Sequence, residues 1–345
     1  MKRHVNIPIF IPHLGCPNQC VFCNQRSITG VSEFDFNSVR TVIDNALNTI
    51  DTDADVEIAF FGGSFTGIDY TLMCDLLDIA HSYIVSGRVN SIRCSTRPDY
   101  INKTVLDTLK SYGVKTIELG LQSSSDDVLL LTKRGHNFES ELLACNMIVD
   151  YGFSLVGQMM IGLPGSTAES EEQTARFIAS VGAVGARIYP TVVFKDTELC
   201  YMAECGEYKP LTLEDAIARS AGVFRIFKEA GVQVIRIGLC SSDNLTGEST
   251  YYAGPNHPAL GELVGSEYYY ELIKEKVNKL RITDSCDVEI CGAPGTLSKL
   301  IGQKKKNKIR LTSDFPVLGI FFSECENVSE YDVEIRIRKG QNKCT

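Results

Sequence analysis

The sequence predicts an α/β protein: a mainly parallel sheet curled into a partial (β/α)6 barrel, followed by a small α+β domain. Three observations predict it. Apolar runs of strand length alternate with segments of helical period from Val5 to Ile237. The glycine-rich and charged stretches fall where strands end, the edge on which such barrels carry their chemistry. From about Leu239 the composition changes to polar, aromatic and basic stretches.

In order, residues 5–11 read as a first strand leading into a cysteine-rich loop. Residues 36–50 read as a helix, with Val39, Val42, Ile43, Ala46 and Leu47 at helical spacing. DVEIAFF at 55–61 is a strand, and GGSFTG turns the chain towards a helix over 71–85. A strand over 91–94 precedes a helix over 103–112 that closes at Gly113. KTIELGL at 115–121 is a strand, followed by helices over 124–132 and 139–151, the second ending at Gly152. A strand over 153–161 runs into GLPG, then a helix over 168–181 and a strand over 186–193. The helix over 212–230 starts with T-L-E-D, acids in its first turn, and a last strand covers 232–237. Six or seven strands are too few for a closed eight-stranded barrel, and right-handed crossovers curl them into an open one.

The expected domains are a barrel over 1–238, a linker or lid over 239–264 and a small α+β domain over 265–345. In the last, TLSKLIG reads as a short helix and KKKNKIR as a basic loop. This helix–turn–basic loop–strand order resembles a KH module, whose G-x-x-G turn clamps a nucleic-acid backbone. The second glycine is missing here, since Gly302 precedes Gln303, Lys304 and Lys305.

Composition excludes several classes. The 345 residues carry a net charge of −9, so the surface as a whole does not attract nucleic acid. Thirteen cysteines, an odd number, argue for a reducing compartment rather than a disulfide framework. The start is broken by Pro8 and Pro12 and does not read as a signal peptide, and no apolar run reaches membrane-spanning length. A cytoplasmic protein with no membrane partner is expected.

The chemistry centres on Cys16, Cys20 and Cys23, spaced C-x3-C-x2-C. Thiolates are soft ligands for iron or zinc. A closed zinc site wants four protein ligands, and no fourth follows at zinc-finger spacing. A [4Fe–4S] cube held by three cysteines keeps one iron open to an outside ligand. A zinc site completed from elsewhere and ordinary core thiols are the alternatives.

Further motifs follow the later strands. In FFGGSFT, Gly62 and Gly63 let the backbone approach a ligand closely, beside Ser64. Ser95 opens STRPD. Gln122 offers both a donor and an acceptor, and Arg134 can grip a carboxylate with two prongs. Gln158 precedes MMIGLPG, and Lys195 lies in YPTVVFKD, where it faces a substrate anion or solvent.

The cysteine spacing, with the aromatic Phe22 directly before Cys23, resembles the radical S-adenosylmethionine (SAM) superfamily. Residues 5–237 resemble its Elongator-like branch, with a relation to the coproporphyrinogen-dehydrogenase branch. The resemblance implies a [4Fe–4S] cluster on the three cysteines, SAM chelated at the open iron, and reductive cleavage to a 5′-deoxyadenosyl radical. It implies cofactor contacts from Phe22, a seat for the methionyl amino group at Gly62, Gly63 and Ser64, and ribose and carboxylate contacts from Gln122 and Arg134. Gln158 falls where relatives touch the ribose, and Ser95 where many carry an acid. Lys195 matches a basic residue at the Elongator substrate mouth and is the expected catalytic position. An electron donor such as flavodoxin or ferredoxin is implied. No acetyltransferase segment is recognised, so acetyl-CoA chemistry is not expected. The substrate stays open between a tRNA or other RNA nucleoside and a small metabolite or cofactor precursor. A non-catalytic RNA-binding factor with a relic barrel is the third reading.

Overall fold

A computed structural model describes residues 3–11, 14–16, 20–24, 34–239, 250–280 and 286–339. The chain divides into two units, one of residues 1–213 and 226–258, the other of residues 214–225 and 259–345. The polar stretch at 241–249, expected to form the linker, lies outside the described residues.

The first unit alternates strands and helices. Its strands are β1 (His4–Phe10), β2 (Asp55–Phe61), β3 (Ser91–Thr96), β4 (Val114–Gln122), β5 (Ser154–Ile161), β6 (Gly185–Pro190), β7 (Val193–Phe194) and β8 (Gln233–Ile237). All but β7 join one seven-stranded parallel sheet in chain order. Sequential order with parallel pairing is the signature of a sheet that curls in one sense rather than doubling back. The connecting helices are α1 (Val39–Leu47), α2 (Tyr70–Val85), α3 (Lys103–Ser111), α4 (Asp126–Leu131), α5 (Phe138–Asp150), α6 (Ala168–Ser180) and α7 (Glu198–Glu204); α8 (Leu213–Glu229) precedes β8, and its residues 214–225 belong to the second unit. Polar side chains set several helix starts: Asp69, Asn102, Asn137 and Thr167 accept first-turn backbone N–H groups of α2, α3, α5 and α6.

Strand alternation builds two different faces. In β4, Ile117, Leu119 and Leu121 are fully buried on one face. Thr116, Glu118, Gly120 and Gln122 fall at the alternate positions. The curled interior is thus polar, and the apolar core lies between sheet and helices.

Three expectations are corrected. The helix at 36–50 is a 3-10 turn over Phe36–Ser38 followed by α1, which stops at Leu47. The strand at 186–193 ends at Pro190; β7 instead pairs antiparallel with β9 (Tyr251–Ala253), as expected where a proline removes a ladder donor. The basic loop is a helix. In the second unit, α9 (Leu260–Lys279), β10 (Cys286–Gly292), α10 (Leu297–Ile301), α11 (Lys306–Asp314), β11 (Gly319–Glu324) and β12 (Val333–Lys339) follow in order. The sheet order is β11–β10–β12, parallel between β10 and β11 and antiparallel between β10 and β12. Its core joins Tyr269, Ile273, Val288, Ile290, Leu300 and Leu311.

Candidate cofactor site at the strand ends

The cysteine loop is fastened on both sides. Gly15 has φ +76°, and a Cβ there would lie 2.3 Å from the Ser64 carbonyl oxygen and 2.6 Å from Gly67 and Ile68 backbone atoms. Only glycine allows this approach, which seats the loop directly on the turn after β2. On the other side, the Val21 N–H donates to the Thr132 carbonyl at 3.3 Å, and the Leu199 N–H to the Val21 carbonyl at 2.8 Å. Val21 packs with Val193, Leu199, Cys200 and Tyr208, and Phe22 lies against the same cluster.

Cys20 is buried, whereas Cys16 and Cys23 are half-buried. Two guanidiniums reach its sulfur: Arg134 Nη1 stands 3.2 Å and Arg97 Nη1 3.7 Å from Cys20 Sγ. Burial pushes the Cys16 thiol up, and the Arg97 guanidinium works against that shift. Two guanidiniums thus converge on one sulfur of the loop. No three His, Cys, Asp or Glu side chains among the described residues converge as for a single metal ion. Three cysteines on one short loop, with two guanidiniums behind Cys20, have the donor chemistry of a soft-metal or iron–sulfur site.

Arg97 and Arg134 are themselves fixed. Arg97 grips Asp99 with two bonds, of 2.9 and 3.0 Å, and donates to the Arg134 carbonyl. Arg134 donates to the Gly120 carbonyl. Burial pushes Asp99 up, but His136 and Arg97 outweigh it and hold the carboxyl well below the usual carboxylate range. His136 Nε2 lies 3.0 Å from Glu141 Oε1, deep behind the rim.

The other expected positions divide. Ser64 is buried, 2.8 Å from Thr96 Oγ1, on the turn that Gly62 and Gly63 begin. Gln122 ends β4 with φ +73°, and its buried Oε1 has no hydrogen-bond partner among the described residues. A Cβ on Gly120 would lie 3.2 Å from Gln122 Nε2 and 3.6 Å from Arg134 Nη2, so these groups share one corner. Gln158 Nε2 donates to Glu118 Oε2 at 2.8 Å and approaches Ser95 Oγ at 3.5 Å. Lys195 is exposed; its N–H donates to Thr250, and the Asn24 side chain reaches its carbonyl at 3.5 Å.

Sequence reasoning missed the charges beneath the rim. Glu118 is fully buried and takes donors from Arg93 Nη1 at 2.9 Å and from Arg187 Nε and Nη2 at 2.7 and 2.9 Å. Arg93 also pairs with Glu57 at 2.8 Å. The available signal was a single charge set between apolar neighbours in strand-length runs: Arg93 in IRC, Glu118 in IEL and Arg187 in ARI. Arg97, within STRPD, likewise carries no local mark of its approach to Cys20.

Fold and rim together define an open-barrel enzyme with three cysteines and two guanidiniums at the C-terminal strand ends. The chain belongs to the radical SAM superfamily: its domain matches residues 10–178, and the radical SAM C-terminal domain matches residues 183–270. Members of this superfamily use a [4Fe–4S] cluster and SAM. The chain is 34% identical over 125 residues to a tRNA uridine(34) acetyltransferase of Methanocaldococcus infernus, covering 35% of this chain and 23% of that protein. It is 29% identical over 279 residues to Elongator complex protein 3 of Danio rerio, covering 66% and 51%. The solved archaeal Elp3 of Methanocaldococcus infernus with an N-terminal deletion superposes with a TM-score of 0.63 at 23% identity, covering 80% of this chain and 64% of that one. The chain spans about a quarter to a half of the length of these two curated relatives.

Proposed function

We propose that this radical SAM enzyme modifies a nucleoside of tRNA or another RNA, with Cys16, Cys20 and Cys23 holding its cluster. Bound there, the reduced cluster would supply the electron that cleaves SAM and yields a 5′-deoxyadenosyl radical. Gly62, Gly63 and Ser64 would present backbone and hydroxyl groups to the methionyl end, and Phe22 would shield the loop. Gln122 would turn its unpartnered Oε1 to a SAM hydroxyl, and Arg134 would meet the carboxylate. Ser95 and Gln158, the latter bonded to Glu118, would line the floor. Lys195 would contact an anionic group of the substrate at the mouth.

The observation that carries this reading is the shared corner of Cys20, Arg134 and Gln122. Arg134 bonds the Cys20 sulfur and shares the Gly120 corner with the Gln122 amide, whose buried Oε1 has no donor among the described residues. Such an acceptor is costly unless a ligand supplies the proton. The RNA substrate is supported by the tRNA activity named for the archaeal relative. A cytoplasmic setting and an external flavodoxin- or ferredoxin-type donor complete the proposal.

The test is turnover by anaerobically reconstituted, reduced protein, following 5′-deoxyadenosine by mass spectrometry, with and without tRNA. Cys20→Ala should abolish its formation. Persistent 5′-deoxyadenosine from that variant would remove the cluster assignment. Unaltered nucleosides in digested tRNA after turnover would remove the RNA substrate and favour a small metabolite.

A further inference from the structure

In the second unit, β10, α10, α11 and β11 run strand–helix–turn–helix–strand, and the turn over residues 302–306 is rigid and basic. Gly302 has φ +78°, and a Cβ there would meet the Asn307 backbone nitrogen at 2.9 Å, so the position needs glycine. Lys304 and Lys305 follow at φ +52° and +63°, a region that side chains rarely adopt. The second glycine of the G-x-x-G pattern is thus absent, but a left-handed backbone is present where it would stand. Asn307 fixes the turn: it is buried, and its Nδ2 bonds the Ser266 carbonyl at 2.8 Å and the Ser266 hydroxyl at 3.0 Å.

The turn also gathers cations without partners. Elsewhere in this unit, Lys276, Lys299, Arg310, Arg336 and Arg338 each meet a carboxylate. Lys304, Lys305, Lys306 and Lys308 are all exposed, and none has an ion-pair partner among the described residues. Like charges on a fixed turn repel, and a polyanion relieves that repulsion. Ile309 is 64% exposed and lies one turn beyond Lys305 and Lys306 on the same helix face. An exposed apolar side chain beside unpaired cations suits a single strand, whose base faces are open, better than a duplex, whose base faces are stacked away.

We propose that this turn holds the sugar–phosphate backbone of a single-stranded RNA segment, with Lys304, Lys305 and Lys306 on phosphates and Ile309 against a base. The choice of RNA rests on the substrate reading above; the geometry of the clamp does not.

The experiment measures fluorescence anisotropy of the full chain with single-stranded RNA, DNA of the same sequence and duplex RNA, each of about a dozen nucleotides, at about 50 and about 200 mM salt. The triple variant Lys304→Ala/Lys305→Ala/Lys306→Ala should weaken single-strand RNA binding at least about tenfold and lower the salt slope by about two. Its 5′-deoxyadenosine formation and circular dichroism should match the native chain. Ile309→Ser should weaken binding with the salt slope unchanged. Native-like binding by the triple variant overturns the proposal, as does equal affinity for duplex, preference for DNA, or equal displacement of the RNA by polyglutamate. The two readings separate cleanly. Binding through the turn with no change to any tRNA nucleoside keeps the clamp and removes the substrate. Modified tRNA with an indifferent triple variant does the reverse.

Discussion

Two levels of one barrel treat buried polar groups in opposite ways. In the interior, the Glu118 carboxylate takes donors from Arg93, Arg187 and Gln158, while Arg93 also holds Glu57. At the rim Gln122 Oε1, and behind it Glu141 Oε2, are buried with no hydrogen-bond partner among the described residues, and Gln122 sits at positive φ. A fully satisfied network rigidifies and fixes strand positions. An unsatisfied group persists where something else, a ligand or a proton, completes it. The contrast separates scaffold from site without reference to any relative.

The largest test breaks the scaffold. Burial pushes Glu118 up, but its bonds from Arg187 and Arg93 prevail and hold it below the usual carboxylate range. Glu118→Ala would remove the carboxylate partner of Arg187 and leave Arg93 with Glu57 alone. Removing one member of a buried pair costs about 3–5 kcal/mol, because the other charge stays uncompensated. Urea unfolding should therefore show a loss of that order. A loss under about 1 kcal/mol would mean that water reaches the interior and that the network is not what sets the strands.

That network shows where legibility ended. The strands and most helices followed from periodicity, since Ile117, Leu119 and Leu121 mark their face by spacing alone. The motifs at the rim were legible because cysteines and glycines are rare in a repeating pattern. Which partners Arg93 and Arg187 choose is set by the register of β3, β4 and β6, which no local stretch encodes. The helix α11 hid for another reason. Its buried side chains include Asn307, a polar residue that apolar spacing cannot flag and that pays for burial with hydrogen bonds to Ser266.

A smaller effect probes the rim through pH. Burial pushes Glu141 up from 4.5 to about 7, against the pull of His136 and Arg134, with Asp126 adding to the rise. In the folded chain the group therefore keeps its proton after the unfolded chain has lost it. Its contribution to stability is full below about pH 4.5 and is lost as pH rises towards about 7. A shift of this size corresponds to on the order of 2–3 kcal/mol. Glu141→Gln should flatten the stability profile across that window and make the variant the more stable one at pH 8. Parallel profiles for variant and native chain would place the proton elsewhere in the Asp99–His136–Glu141 group.

The smallest effect sharpens the contrast most, because stability and binding should move in opposite directions. Gln122 holds φ +73° at the end of β4, beside a register shift that follows Gly120. A non-glycine residue in this region costs about 1 kcal/mol or somewhat more. Gln122→Gly relieves the strain and deletes a buried acceptor that has no donor, so the variant should be about 1 kcal/mol more stable in urea. If the strained amide serves SAM, calorimetric titration of the reconstituted protein should show SAM affinity reduced by about tenfold, the value of one hydrogen bond lost. Greater stability with unchanged SAM affinity would assign the strain to the β4 bulge alone, and the rim would lose one of its ligand contacts.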